Sequence, residues 1–222
     1  MGTVTDIAPG VTEDWTATVA CLCWAGKRAA GLVFCPEHHI YWFGGQRVPS
    51  VTGILRGLDS YVHVDADVLE AARQRGIAVH SATQFDDDGE LDMNTVDDMI
   101  RPYLFAWRSF RKESGFEPLH QEGRVYSPKY RYAGTYDVIG FMGGKRVLID
   151  KKSGDQVPLA AGPQTAAYAA AYEEAGGDRI QKRYVVQLRS NGDYQLIPYG
   201  ASDDLQCFLA HLQIHRWREA HA

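Results

Sequence analysis

Residues 132–152, Tyr-Ala-Gly-Thr-Tyr-Asp-Val-Ile-Gly-Phe-Met-Gly-Gly-Lys-Arg-Val-Leu-Ile-Asp-Lys-Lys, decide how the rest of the chain is read. Two runs rich in β-branched and aromatic residues flank Gly143-Gly144, the pattern of a hairpin with a two-residue loop. With those glycines as the loop, Met142 pairs with Lys145, and the same register sets Asp137 opposite Asp150. Side chains alternate along a strand, so Asp150 and Lys152 share one face while Ile149 and Lys151 share the other. Like charges at one cross-strand position destabilise a sheet unless something neutralises them. The hairpin therefore predicts two carboxylates and an ammonium on one face. Such a site suits a hard divalent cation, magnesium or manganese. The plain alternative is a solvent-facing salt-bridge cluster, since Asp and Lys are common at surfaces.

With these residues in view, the sequence resembles the PD-(D/E)XK nuclease superfamily, in its RecB-like and phage-exonuclease branch. The resemblance rests on Gly134-Thr135-Tyr136-Asp137 (Gly-x-x-Asp), Asp150-Lys151-Lys152 (Asp-x-Lys), and Gln164 with Tyr168 (Gln-x-x-x-Tyr). Upstream, Gly76-Ile77-Ala78-Val79-His80 is similar to the Gly-x-x-x-His of that branch. The motifs occur in the family's order, and the likeness spans about residues 46–199. It implies that Asp137, Asp150 and the Lys151 carbonyl bind the metal, that His80 completes the shell, and that Lys152 serves catalysis. Tyr136 stands where the family name has proline, a departure common in this branch. Relatives often carry a glutamate near the first sheet strand, which makes Glu122 a second-tier candidate for orienting water or ligating the ion.

Composition bounds the remaining choices. A chain of 222 residues with 45% hydrophobic and 11% aromatic content fits one domain with additions and can bury a core. No apolar run is long enough to span a membrane, and the N-terminus lacks a charged-then-apolar signal pattern, so a cytoplasmic protein is expected. A net charge of −5 argues against a protein that coats polyanions indiscriminately, yet it is compatible with an acidic site that takes up a cation before it meets phosphate. Four cysteines in a chain of this size do not read as a disulfide framework.

Three of those cysteines nonetheless cluster near the start. Cys21, Cys23 and Cys35 with His38 or His39 are candidates for a structural zinc site, although Cys-x-Cys is tighter than the usual knuckle spacing. Unligated buried cysteines are the competing reading. Some relatives hold an iron–sulfur cluster on four cysteines, for which Cys207 would be the fourth here, but their order along the chain is the reverse of this one. Residues 39–43 and 47–52 read as two short strands about Gly44-Gly45. Asp65 caps a helix that carries Val68, Leu69, Ala72, Ile77 and Val79 to His80.

The acidic run from Asp86 to Asp92 lacks calcium-loop spacing and reads as a solvated loop. Asn94 caps an amphipathic helix ending near Gly115, whose Arg101, Arg108, Arg111 and Lys112 either border a DNA groove or form a solvated face. Residues 119–127 and 130–141 are sheet strands. Pro163 starts a helix that Gly176-Gly177 ends, with Gln164 and Tyr168 one turn apart and available to phosphate and, by ring stacking, to bases. A last hairpin turns at Asn191-Gly192, and a helix beginning near Ser202 closes the chain.

The expected fold is an α/β sandwich with a restriction-endonuclease-like core, a mixed central sheet in the order αβββαβ, and an N-terminal β-hairpin extension. Residues 1–38 are expected as the extension and 39–222 as a single nuclease domain. The expected function is Mg2+- or Mn2+-dependent hydrolysis of DNA phosphodiester bonds, as an exonuclease in recombination, repair or phage DNA metabolism. The alternative is a non-catalytic nucleic-acid-binding or assembly module on the same fold. Neither a homo-oligomer nor a recombination-protein partner is decided by these residues.

Overall fold

A computed structural model of the chain describes residues 31–58 and 65–222. They divide into two compact units at Val48 and Pro49. In the first, strands β1 (Leu32–Cys35), β2 (Ile40–Phe43) and β3 (Gln46–Val48) form an antiparallel sheet in that order. The β2–β3 turn is at Gly44-Gly45, as expected. The strand predicted over 47–52 ends sooner. Pro49 has no N–H for a ladder, and Ser50 caps helix α1 (Val51–Ile54), its Oγ accepting the Gly53 N–H at 3.0 Å.

The second unit is built on a five-stranded sheet in the order β4 (Glu117–Ser127), β5 (Tyr132–Met142), β6 (Lys145–Lys152), β7 (Lys182–Leu188), β8 (Tyr194–Tyr199). All neighbours are antiparallel except β6 and β7, which are parallel. A parallel pair needs a crossover, supplied here by helix α4 (Ala161–Glu174). Gly143 and Gly144 take φ of 56° and 73° in the β5–β6 turn, and Met142 pairs with Lys145 as the sequence predicts.

Helices cover both faces of this sheet. On one face, α2 (Ala66–Asp87) and α3 (Arg101–Ser114) contribute Val79, Leu104, Trp107 and Phe110, which pack on Val138, Val147, Ile149 and Val186. On the other, α1, α4 and α5 (Asp204–His221) bring Val51, Ala167, Tyr168 and Phe208 against Tyr132, Ile139 and Leu148. The alternation of Val147, Leu148 and Ile149 between the two cores is the period of a central strand buried on both sides. The observed order of helix, three strands, helix and strand is the mixed α/β sandwich expected from the sequence.

Two local expectations are corrected. The acidic run is not a solvated loop at its start, because α2 continues through it to Asp87. Asp86 pairs with Arg108, and the side chain of Asp87 is fully buried, accepting from Trp107 Nε1 at 2.9 Å and from Arg111. Those arginines therefore bind α3 to α2 instead of edging a groove. Nor does Asn94 start a long helix. Asp92 caps a single 3-10 turn over Met93–Thr95, and α3 begins only at Arg101, with Pro102 in its first turn. As expected, Gly115 ends α3 in a left-handed conformation.

Gly134 is required by close approach. A Cβ there would lie 2.5 Å from the Tyr168 ring and 3.1 Å from Val51. Gly134→Ala is accordingly expected to destabilise the protein by about 1–3 kcal/mol through overpacking, measured as a lower urea midpoint at unchanged slope.

Candidate active site

The β5–β6 ladder ends at Val138↔Ile149, one step before the register would pair Asp137 with Asp150. Beyond that point the Asp137 side chain takes over from the backbone: its Oδ2 accepts the Lys151 N–H at 2.6 Å. β6 keeps its other edge on β7, where Asp150, Lys151 and Lys152 pair with Val185, Val186 and Gln187. Gln187 Nε2 donates to the carbonyls of Gly154 and Asp155 at 2.8 and 2.9 Å, fixing the turn that follows Lys152. The Asp-x-Lys segment is thus held on both edges.

Asp150 is 1% exposed. Lys152 Nζ lies 2.8 Å from its Oδ2, and no other group among the described residues donates to either oxygen. Burial pushes the Asp150 carboxyl up to about 6; Lys152 pulls it down and Asp137 adds to the rise. Lys152 Nζ also approaches Gln164 Oε1 at 3.4 Å, and Gln164 Nε2 donates to the Tyr168 hydroxyl at 3.2 Å.

α2 brings His80 to the same place. Asp65 caps the helix as predicted, its Oδ1 accepting the Asp67 N–H at 2.8 Å. The His80 ring lies with Nε2 3.2 Å from the Lys151 carbonyl and with Nδ1 3.4 Å from Glu122 Oε1 and 3.6 Å from Asp137 Oδ1. Burial disfavours charge on this ring, but Asp137 and Glu122 outweigh it and hold the His80 pKa above its ordinary value. An Nε2–H donated to the carbonyl leaves the Nδ1 lone pair facing the two carboxylates.

Glu122, the second-tier candidate, is central to this geometry. Its backbone has φ of 46°, uncommon for a residue with a side chain and associated with functional sites. The ligand atoms of His80, Glu122 and Asp137 all lie within 4.8 Å of one another, a group fit to hold a metal ion. No local sequence signal reports a left-handed φ inside a strand, so the residue type alone could not rank it.

The site residues separate into those brought together and those not. His80, Glu122 and Asp137 come together with the Lys151 carbonyl, and Asp150 pairs with Lys152 beside them, outside that group. Gln164 joins them through Lys152. Tyr168 does not offer its ring for base stacking: it is 3% exposed and packs over Gly134, so only its hydroxyl end reaches Gln164. A cleft of about 420 Å³ lies along one face of α2, lined by Arg73, Ile77, His80, Ser81 and Gln84 and by Glu122; the Arg73 guanidinium is held by Glu70. Of the proposed zinc ligands, Cys21 and Cys23 lie outside the described residues. Cys35 Sγ is 3.9 Å from His38 Nδ1 and donates to Glu37 Oε2 at 3.2 Å.

The donor set fits a hard divalent ion. It consists of two carboxylates and an imidazole, Asp137, Glu122 and His80, with the Lys151 carbonyl against the imidazole; the buried Asp150 carboxyl stands outside that group, near enough to Asp137 to feel its charge.

Comparison with known proteins gives the family. The sequence pattern of the PD-(D/E)XK nuclease superfamily matches residues 55–214. No curated protein sequence matches the chain significantly. Among solved structures, the chain is similar to the alkaline exonuclease of Laribacter hongkongensis, at 16% identity over 52% of this chain and 69% of that one, with a TM-score of 0.33. The same exonuclease in complex with dAMP aligns at 14% identity over 78% and 93%, with a TM-score of 0.35. A Eubacterium rectale protein provisionally named an exonuclease aligns at 10% identity over 94% and 85%, with a TM-score of 0.45. These structural likenesses are loose, and it is the family match that carries the assignment.

Because the fold holds the Asp150 pKa at about 6, above the ordinary 3.8, it favours the protonated form. In metal-free protein this group costs stability above pH 6, and the cost fades as pH falls toward the unfolded value. Asp150→Asn is therefore expected to be more stable than wild type at pH 8 in chelator. The difference should shrink between about pH 6 and pH 4 in parallel urea titrations.

Proposed function

The chain belongs to the PD-(D/E)XK nuclease superfamily, and on that premise we propose that it is a metal-dependent deoxyribonuclease that degrades DNA from strand ends. The observation that carries this reading is the buried Asp150 carboxylate, set beside Asp137 and 2.8 Å from the Lys152 ammonium. A purely structural cluster would not need a carboxylate buried with so few donors.

In this reading Asp137, Asp150, His80 and Glu122 hold Mg2+ or Mn2+. The Lys151 carbonyl has two lone pairs, so it can accept from His80 and still face the ion. A divalent ion bound there supplies Lewis acidity to the scissile phosphate and makes water a stronger nucleophile at neutral pH. The protein's own groups do the rest. Lys152, held between Asp150 and Gln164, places a positive charge where the attacking water and the phosphate oxygens meet. Glu122, one-third exposed, is the carboxylate best placed to accept a proton from that water. Gln164 is within reach of the strand backbone. The cleft leading to Arg73 gives the strand a path along α2. Recombination, repair and phage DNA metabolism are the settings in which such an exonuclease would act.

The alternative, a nucleic-acid-binding module without catalysis, is separated by one assay. Linear end-labelled and covalently closed circular DNA are incubated with purified protein in Mn2+ or in chelator. Loss of the linear substrate alone, only with metal, is expected. Asp150→Ala and Lys152→Ala are expected to lower the rate by at least about a hundredfold while leaving the folded circular dichroism spectrum unchanged. DNA binding without turnover in the wild type would favour the module.

A further inference from the structure

Lys151 is the middle residue of the Asp-x-Lys segment, and its side chain turns away from the metal site. It is 1% exposed, in the core between α2, α3 and the sheet. Its Nζ donates to Thr83 Oγ1 at 2.8 Å and sits 5.2 Å from the centre of the Trp107 ring. Asp87, whose carboxylate accepts from Trp107, lies close enough to feel the Lys151 charge. A buried ammonium is costly where a methionine or leucine would pack as well, so its retention calls for a role that packing does not supply.

The hydrogen bonds around it close a circuit. Lys151 Nζ donates to the Thr83 hydroxyl, and that hydroxyl donates to the His80 carbonyl at 3.0 Å. The Lys151 carbonyl in turn lies 3.2 Å from His80 Nε2. Lys151 thus grips His80 at two places, through its backbone on the ring and through its side chain on the helix. The same residue gives its N–H to Asp137. One residue on β6 therefore ties together a carboxylate on β5 and an imidazole on α2.

We propose that Lys151 and Thr83 are positioning residues that set His80 against Asp137 and Glu122, so that the metal-binding group is assembled before the ion arrives. This rests on the metal-centre reading given above. Neither side chain touches the reacting atoms. Their effect passes through the rotation and height of the His80 ring, as groups behind metal ligands commonly act.

The test is Mn2+ binding to the full chain by calorimetry, with unfolding followed in chelator. Thr83→Val keeps the shape and removes the hydroxyl, and is expected to weaken Mn2+ binding about 10–100-fold. Thr83→Ser restores the hydroxyl and is expected to bind Mn2+ within about twofold of wild type. Lys151→Met fills the same space without charge. It is expected to weaken Mn2+ binding by a similar factor while the metal-free protein is as stable as wild type or more so. Since both changes break one circuit, the double variant should bind little worse than either single variant.

A merely structural pair would lower the unfolding midpoint and leave the Mn2+ affinity in place. Wild-type Mn2+ affinity in folded Thr83→Val or Lys151→Met would overturn the proposal alone. Failure of the wild-type chain to bind Mn2+ would overturn the metal-centre reading and this proposal with it.

Discussion

A carboxylate removed from solvent next to a second carboxylate is the constraint on which the rest of the site depends. Asp150 sits there because β6 is a central strand, paired on both edges and covered on both faces. Every feature around it answers the charge in some way. Lys152 folds back to pair with it, Asp137 spends one oxygen on a backbone N–H, and the His80 ring is held where it faces acid groups. Protein groups alone leave the balance negative. That shortfall is what suits the place to a small, highly charged cation and what the proposed metal centre rests on.

Much of this was legible in the sequence, for reasons that are local. The Gly143-Gly144 turn fixes the hairpin register, and strict alternation then assigns Asp150 and Lys152 to one face and Lys151 to the other. Asp65 marks the start of the helix that carries His80 because an N-cap carboxylate satisfies a neighbouring orphan N–H. What could not be read depends on partners far along the chain. Asp87 looked solvated because nothing nearby in sequence says that Arg111 and Trp107, more than a turn-and-loop away, enclose it. Tyr168 looked available because helical spacing gives its face but not the Gly134 hollow that receives its ring. The left-handed backbone of Glu122, within reach of His80, could not be read either, because it arises from the strand's tertiary setting.

The Asp150-Lys151-Lys152 segment also shows how a short stretch of a two-sided sheet serves two environments. Odd and even positions face different cores, so one tripeptide faces the candidate site with two side chains and the interior under α2 and α3 with the third. Chemistry on one side and helix attachment on the other are therefore not separable by sequence position. A change at Lys151 is felt in a site its side chain does not enter, because its backbone N–H and carbonyl meet Asp137 and His80 there.

The spacing of the ligands along the chain has a consequence for folding order. The contact between Asp137 and Lys151 closes a loop of 14 residues, whereas the His80 contact with Lys151 spans 71. Closing the longer loop costs about 1.4 kcal/mol more chain entropy, if both segments are treated as flexible. The acidic half of the site is thus a local product of one hairpin, and the imidazole arrives only when a distant helix docks. Until that docking, the ribbon carries its two carboxylates with Lys152 as their one neighbouring cation, and helix arrival completes the group on which the proposed metal centre rests.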